Sequence, residues 1–354
     1  MPRLEARAEP STAMRYASPL LAVALTLVGG LILFATLGKN PVDGFRVFFV
    51  SPLKDAYGIA ELLLKATPLM LIALGLAVGF RANVWNIGAE GQFIIGAIAG
   101  GGVALQFDGS ASPLLLPSMI VAGAIGGALW ASIPALLRTR FNANEILVSL
   151  MLVYIAQLFV SWLVHGPWKD PEGFNFPQTK MFSDAAILPV LVEGTRLNAG
   201  FLLALAVLLA GYVFMHRSFM GFTMRVAGES DAAARYAGFS AQRTIWAGML
   251  AGGAMAGIAG MEEVAGPMGQ LTEHVSNNYG FAAIIVAFVG RLHPFGIFLA
   301  SLLMALLYLG GEQAQQYMNL PSSISKVFQG MLLFFLLGAD VFVNYRLRWT
   351  TASS

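Results

Sequence analysis

The sequence predicts an all-α polytopic membrane protein of about ten transmembrane helices, and three observations lead there. Of 354 residues, 57% are hydrophobic and only 11% charged. A soluble domain carries roughly 25% charged residues, so this chain cannot cover itself with a water-facing shell. Apolar runs recur near the roughly 20 residues that a bilayer crossing needs. The 21 Lys and Arg residues then divide as cytoplasmic positive charge requires. Thirteen fall in segments assigned to the inner side and six in outer segments, while Lys65 and Lys326 lie inside runs near outer ends.

Taken in order, residues 1–16 read as a cytoplasmic N-terminal tail. The first run, "SPLLAVALTLVGGLILFATLG", is too long for the apolar core of a signal peptide, and its leader holds Glu5 and Glu9, so it is expected to stay as a span. Spans are placed near 17–37, 59–80, 84–106, 113–136, 145–165, 199–216, 243–264, 275–290, 293–312 and 325–345. The membrane domain thus covers 17–345, with a polar cytoplasmic insertion at 217–243 and a cytoplasmic C-terminal tail at 346–354. Spans one to five begin inside and six to ten outside, so the two five-helix halves run in opposite directions, an inverted arrangement found in transporters. Gly96 with Gly100, Gly123 with Gly127 and Gly253 with Gly257 have the small-xxx-small spacing of close helix packing.

The net charge of +2 argues against a nucleic-acid partner. The absence of cysteine excludes disulfides, thiolate metal sites and cysteine nucleophiles. His165, His216, His274 and His293 have no metal-ligand spacing, and neither HExxH nor GxSxG occurs. A Walker A sequence is also missing, so the chain is not expected to hydrolyse ATP.

Two polar stretches stand out. "NVWNIGAEGQF", Asn83 to Phe93, sets amides and a carboxylate between strongly apolar runs. A carboxylate at mid-membrane costs something like 2.5–3.5 kcal/mol on insertion scales, so Glu90 must face protein or water. Asn86 and Glu90 are four apart and would share a helix face. Gly88, Gly91 and Pro68 permit a broken or closely packed helix. Trp85, Asn86, Glu90 and Gln92 are therefore candidates for a polar substrate pathway with an aromatic plate, or for an interhelical hydrogen-bond knot. The second stretch, "MRVAGESDAAARYAGFSAQR", is the longest polar insertion. Ser230 reads as an N-cap, "DAAARYA" as about two turns of helix and Gly238 as the residue that ends it. So short a helix must lie on the protein's own inner face or dock into a partner.

Together with "ANEILVSLMLVYIA", "YGFAAIIVAFVGRLHPFGI" and "YLGGEQAQ…VFQGMLLFF", these stretches resemble the permease subunits of ABC importers in the branched-chain amino acid, ribose and nucleoside superfamily. They are most similar to simple-sugar and purine-nucleoside uptake permeases, over about residues 59–348. The resemblance implies a second permease, expected to be a paralogue, a cytoplasmic ATPase and an extracytoplasmic solute-binding protein, in a bacterial inner membrane. It implies no cofactor on this chain, with ATP and Mg on the ATPase. It also makes Gly228, Glu229, Ala232, Ala233, Arg235, Tyr236, Ala237 and Gly238 the segment that couples to that ATPase. Val153 stands where family members often carry an amide and Ala282 where others carry Asp, which leaves the solute open between a purine nucleoside, another nucleoside and a simple sugar. The rival class is a stand-alone secondary transporter, for which Glu90 would be the coupling-ion candidate.

Two smaller expectations complete the reading. Asn142 and Glu145 have the spacing of a capping box at the start of the fifth span. Glu262 and Glu263 are expected at a solvated outer helix end.

Overall fold

Helices form along the apolar runs, and short polar residues cap them where the runs break. In the computed structural model, which describes residues 2–7, 9 and 11–349, the elements run β1 (Pro2–Ala6), α1 (Thr12–Thr36), α2 (Pro41–Phe45), α3 (Ala56–Phe80), α4 (Ala89–Gln106), α5 (Leu115–Phe141), α6 (Glu145–His165), α7 (Gly200–Arg217), α8 (Phe219–Glu229), α9 (Asp231–Tyr236), α10 (Ala241–Glu263), α11 (Tyr279–Val289), α12 (Pro294–Met318), α13 (Ile324–Asn344) and β2 (Tyr345–Trp349). Ser218, Ser230 and Ser240 cap α8, α9 and α10 by accepting from Gly221, Ala233 and Arg243 N–H groups.

The capping box at Asn142 is not formed. Asn142 ends α5 in the left-handed conformation, and Asn144 caps α6 instead, its Oδ1 accepting from Ile146 N at 2.9 Å. Glu145 turns to Arg138 and forms an ion pair. Asparagine suits both roles, a left-handed helix end and an N-cap, so spacing alone chose between them wrongly.

Among the described residues, eight helices are long and apolar enough to cross a membrane: α1, α3, α5, α6, α7, α10, α12 and α13. The two expected spans that fall short are α4 and α11. Helix α4 begins at Ala89 rather than near residue 84, and Glu90, Gln92, Gln106 and five glycines dilute its apolar content. Helix α11 begins at Tyr279, after Asn278 in the left-handed conformation, and is 11 residues long. Hydropathy measures apolar content and does not register such backbone breaks.

Contacts divide the chain into two compact units, residues 1–59 with 306–354, and residues 60–305. In the first, α1 packs along α13. A π-turn, Arg46–Val50, delivers Phe48 and Phe49 to a cluster with Phe34 and Phe328, the Phe48 and Phe328 rings stacking at 4.4 Å. Strands β1 and β2 pair antiparallel, with Glu5 opposite Arg346 and bonded to it at 3.0 Å. Parts of both expected tails are thus joined, while residues 1, 8, 10 and 350–354 lie outside the described residues.

In the second unit, α4, α5 and α10 form the most extensive packing. The glycines expected to pack closely meet there: Gly257 of α10 sits on the Gly123 carbonyl of α5 and on Gly96 of α4, leaving no room for a methyl group. Helix α3 is buried on every side from Ala66 to Phe80 and runs unbroken through Pro68, as a helix apolar all round should be. The long connection before α7 is pinned to the segment after α10: Leu188 N donates to Ala265 O at 2.7 Å and Phe182 N to Gly269 O at 2.8 Å.

Candidate functional site

Between α3 and α4 the chain leaves helical geometry at residues 81–88, and the polar stretch singled out in the sequence builds this break. Asn83 takes φ +55°, and its Oδ1 accepts from Trp85 Nε1 at 2.8 Å. Asn86 lies before the helix starts, so the expected helix face shared with Glu90 does not exist. Its amide instead pairs with Gln92 in a reciprocal ring, Asn86 Nδ2 to Gln92 Oε1 at 2.8 Å and Gln92 Nε2 to Asn86 Oδ1 at 3.0 Å. Asn86 Oδ1 also accepts from Gly88 N at 3.1 Å. Both amides are buried, and the ring lets each satisfy most of its capacity without water.

Glu90 stands in the first turn of α4 and reaches the start of α11. Its Oε2 accepts from Gly280 N at 2.7 Å. The first N–H groups of a helix lack intrahelical partners and carry partial positive charge, so a carboxylate is favourably placed there. The approach needs Gly280, because a methyl group would overlap the backbone of Glu90. Gly88 and Gly91 likewise abut Ser149 and Val153 of α6. Beside this frame, Trp85, Phe80 and Phe288 form a stack, with Trp85 and Phe288 at 5.9 Å and 22° and Phe80 and Phe288 at 5.3 Å and 18°.

The second predicted group is brought together on α8 and α9. Ser230 caps α9 and Gly238 ends it at φ +78°, as the sequence predicts. Ala234 is buried, whereas Ala232, Ala233, Arg235, Ala237 and Gly238 are exposed. Tyr236 is 97% exposed. Glu229 is exposed, and half-buried Gly228 seats the end of α8 against the Arg81 carbonyl, too close for any side chain. Arg81 Nε in turn donates to Leu292 O at 3.1 Å, just past α11. The two predicted groups therefore meet at Arg81, four residues before Trp85, a junction that the sequence did not disclose.

Sequence reasoning also missed a second buried carboxylate. Glu262, expected in solvent, is enclosed at the end of α10, and Glu263 beside it is half-buried. The signal was present: "AGMEEVAG" places the two acids inside an unbroken small and apolar run. Nearby, Arg196 grips buried Glu61 in a bidentate ion pair, with Nε to Oε1 at 2.9 Å and Nη2 to Oε2 at 2.5 Å.

Multi-pass apolar helices around a broken, polar-lined start of α4 match one family. The model of the branched-chain amino acid transport system permease component fits residues 58–337. The chain belongs to this family. A glucose ABC transporter permease protein of Haloferax volcanii is 38% identical over 94% of this chain and 90% of its own length. A nucleoside ABC transporter permease protein of Lactococcus lactis is 30% identical over 90% and 89%. A guanosine ABC transporter permease protein of Bacillus subtilis is 28% identical over 90% and 92%. In both of those bacteria a second permease of the same description also matches. The chain is thus a multi-pass permease subunit of an ABC importer in the bacterial inner membrane, and ATP hydrolysis belongs to a separate subunit.

Proposed function

We propose that this permease moves a nucleoside or a related simple sugar into the cytoplasm, received from an extracytoplasmic binding protein. Relatives named for glucose and for nucleosides share a polyhydroxylated ring as the common feature of their solutes. The working unit pairs this chain with a second permease, a paralogue by analogy with the bacterial pairs, and with a cytoplasmic ATPase that holds ATP and Mg. Ten spans in two inverted halves, with both termini inside, put α8 and α9 on the cytoplasmic face, where such an ATPase docks.

The observation that carries the coupling role is the seat of Gly228 on Arg81. Helix α9 offers Tyr236 to a groove on the ATPase, with Ala232, Ala233 and Ala237 allowing close approach and Glu229 and Arg235 at the rim. Motion of α9 passes through α8 to the turn at Arg81 and on to the frame of Asn86, Glu90 and Gln92. Those three polar residues hold the break beside the pathway, and Trp85 with its stacked neighbours offers the aromatic plate. A stand-alone carrier would need Glu90 for a coupling ion, but the Gly280 N–H of α11 already engages that carboxylate.

The test is co-purification of the ATPase with Tyr236→Ala and Ala233→Trp, together with solute-stimulated turnover. Truncating an aromatic anchor in a packed interface costs more than about 2 kcal/mol, so association and turnover fall while the permease stays folded. Undiminished association in both variants refutes the coupling role. Uptake of labelled adenosine, guanosine, uridine, ribose and glucose names the solute.

A further inference from the structure

Glu262 is 4% exposed, and neither carboxylate oxygen has a hydrogen-bond partner among the described residues. It points from the last turn of α10 at the start of α7. A methyl group on Gly200 would lie 3.1 Å from its Cδ and 3.2 Å from its Oε1. Buried Asn198 flanks the pair, its Oδ1 accepting from Gly200 N at 2.9 Å and its Nδ2 turned toward Gly266. The cation of Arg196 is engaged by Glu61.

The backbone next to Glu262 is irregular as well. A π-turn, Val264–Met268, follows α10 directly and ends at Gly269 with φ +67°. Such turns recur at functional sites, and non-helical backbone at membrane depth persists where it is buried or lines a cavity. Buried polar groups are almost always hydrogen-bonded, so two orphaned oxygens on one side chain call for a partner that this conformation lacks. A transporter passes through more than one conformation, and a group left unsatisfied in one is explained by a ligand in another.

The chemistry of the set narrows that ligand. A carboxylate accepts only, and an asparagine amide both donates and accepts. Together they match adjacent hydroxyl groups on a sugar ring, with two O–H donors for Glu262 and an exchange with Asn198. We propose that Glu262 and Asn198 form a transient site for solute hydroxyls, opened when the end of α10 and the start of α7 separate during transport. This rests on the nucleoside-or-sugar reading above and adds a residue-level site for it.

The experiment uses the complete importer in liposomes, with its second permease, ATPase and binding protein. Uptake of adenosine, guanosine, ribose and glucose is measured beside their 2-deoxy or 2′-deoxy counterparts. If the unsubstituted importer moves none of them, the solute reading fails and this site falls with it. If it does move them, Glu262→Leu reduces uptake of the hydroxylated solutes at least tenfold and narrows their advantage over the deoxy forms. Glu262→Gln is intermediate. The unfolding midpoint of Glu262→Leu equals or exceeds that of the unsubstituted permease, because no bond is lost in the resting state. Uptake at the original rate, or unchanged discrimination in Glu262→Leu, overturns the proposal alone. So does a lowered midpoint with poor insertion, which would make Glu262 a structural group. A variant that changes only the pH profile of uptake assigns the carboxyl to a proton instead and also overturns it.

Discussion

Glu90 and Glu262 are both glutamates buried within the 60–305 unit, 1% and 4% exposed respectively. Each faces the first turn of another helix, α11 for Glu90 and α7 for Glu262. At Glu90 the turn delivers the Gly280 N–H to the carboxylate at 2.7 Å. At Glu262 the matching donor, Gly200 N, is taken by Asn198 Oδ1, and the carboxylate is left with nothing. Burial is therefore not what separates a structural acid from a working one. What differs is the donor, and the proposals above accordingly set Glu90 in the frame beside the pathway and Glu262 at a transient solute site.

The largest effect should come from removing the bonded acid. Glu90→Ala strands the Gly280 N–H at the start of α11, which costs about 1–3 kcal/mol when buried and unpaired. A loss of about 3 kcal/mol in unfolding free energy is expected in mixed micelles, with transport falling alongside. Glu90→Gln keeps an acceptor oxygen and retains most of both. The comparison is broken if Glu90→Leu and Glu262→Leu change stability equally, because the donor counts require a large loss at one and none at the other.

Next in size is Gly280→Ala. The added methyl overlaps the backbone of Glu90, and overpacking a close helix contact costs about 1–3 kcal/mol. Its unfolding midpoint should fall without any change of charge, which separates the geometry of the frame from its electrostatics. Asn86→Leu comes third. It orphans the buried amide of Gln92 and the N–H of Gly88, a loss of about 2 kcal/mol. The double variant Asn86→Leu with Gln92→Leu should recover part of that loss, since removing both partners leaves fewer orphaned groups. Further loss in the double variant would mean that the two amides do not act as a pair.

How legible this was in the sequence differs between the two acids. The helical membrane architecture followed from composition, and "NIGAEGQ" drew attention to Glu90 because polar residues interrupt an apolar run. The late start of α4 was not legible, since Asn86 and Glu90 at i and i+4 look like one helix face whether or not the helix reaches Asn86. Glu262 escaped because a pair of acids near the end of an apolar run usually marks a solvated boundary. Gly200 and Asn198, more than 60 residues away in sequence, pack beside it in the fold. Tyr236 was legible for the opposite reason: a short capped helix has few places to hide a large side chain.

The smallest effect concerns pH, and it sharpens the comparison by removing a confounder. His293 lies between α11 and α12, outside the spans. Burial, then nearby His216, then Arg81 push its imidazole below the usual histidine range. The His216 and His293 rings meet edge to face at 5.3 Å, and Tyr212 packs on both. A histidine that binds its proton less readily when folded favours unfolding in acid. Its contribution to stability is complete above the unfolded value of about 6.5 and is lost as pH falls through it toward the folded value. The permease should therefore lose a small amount of stability as pH falls below about 6.5, and His293→Gln should flatten that part of the profile. Because the ring is only half-buried, the change is a modest shift of midpoint, visible only in a matched titration of the two proteins. If the slope survives in His293→Gln, the acid sensitivity arises elsewhere in the fold, and the buried carboxylates become the groups to titrate next.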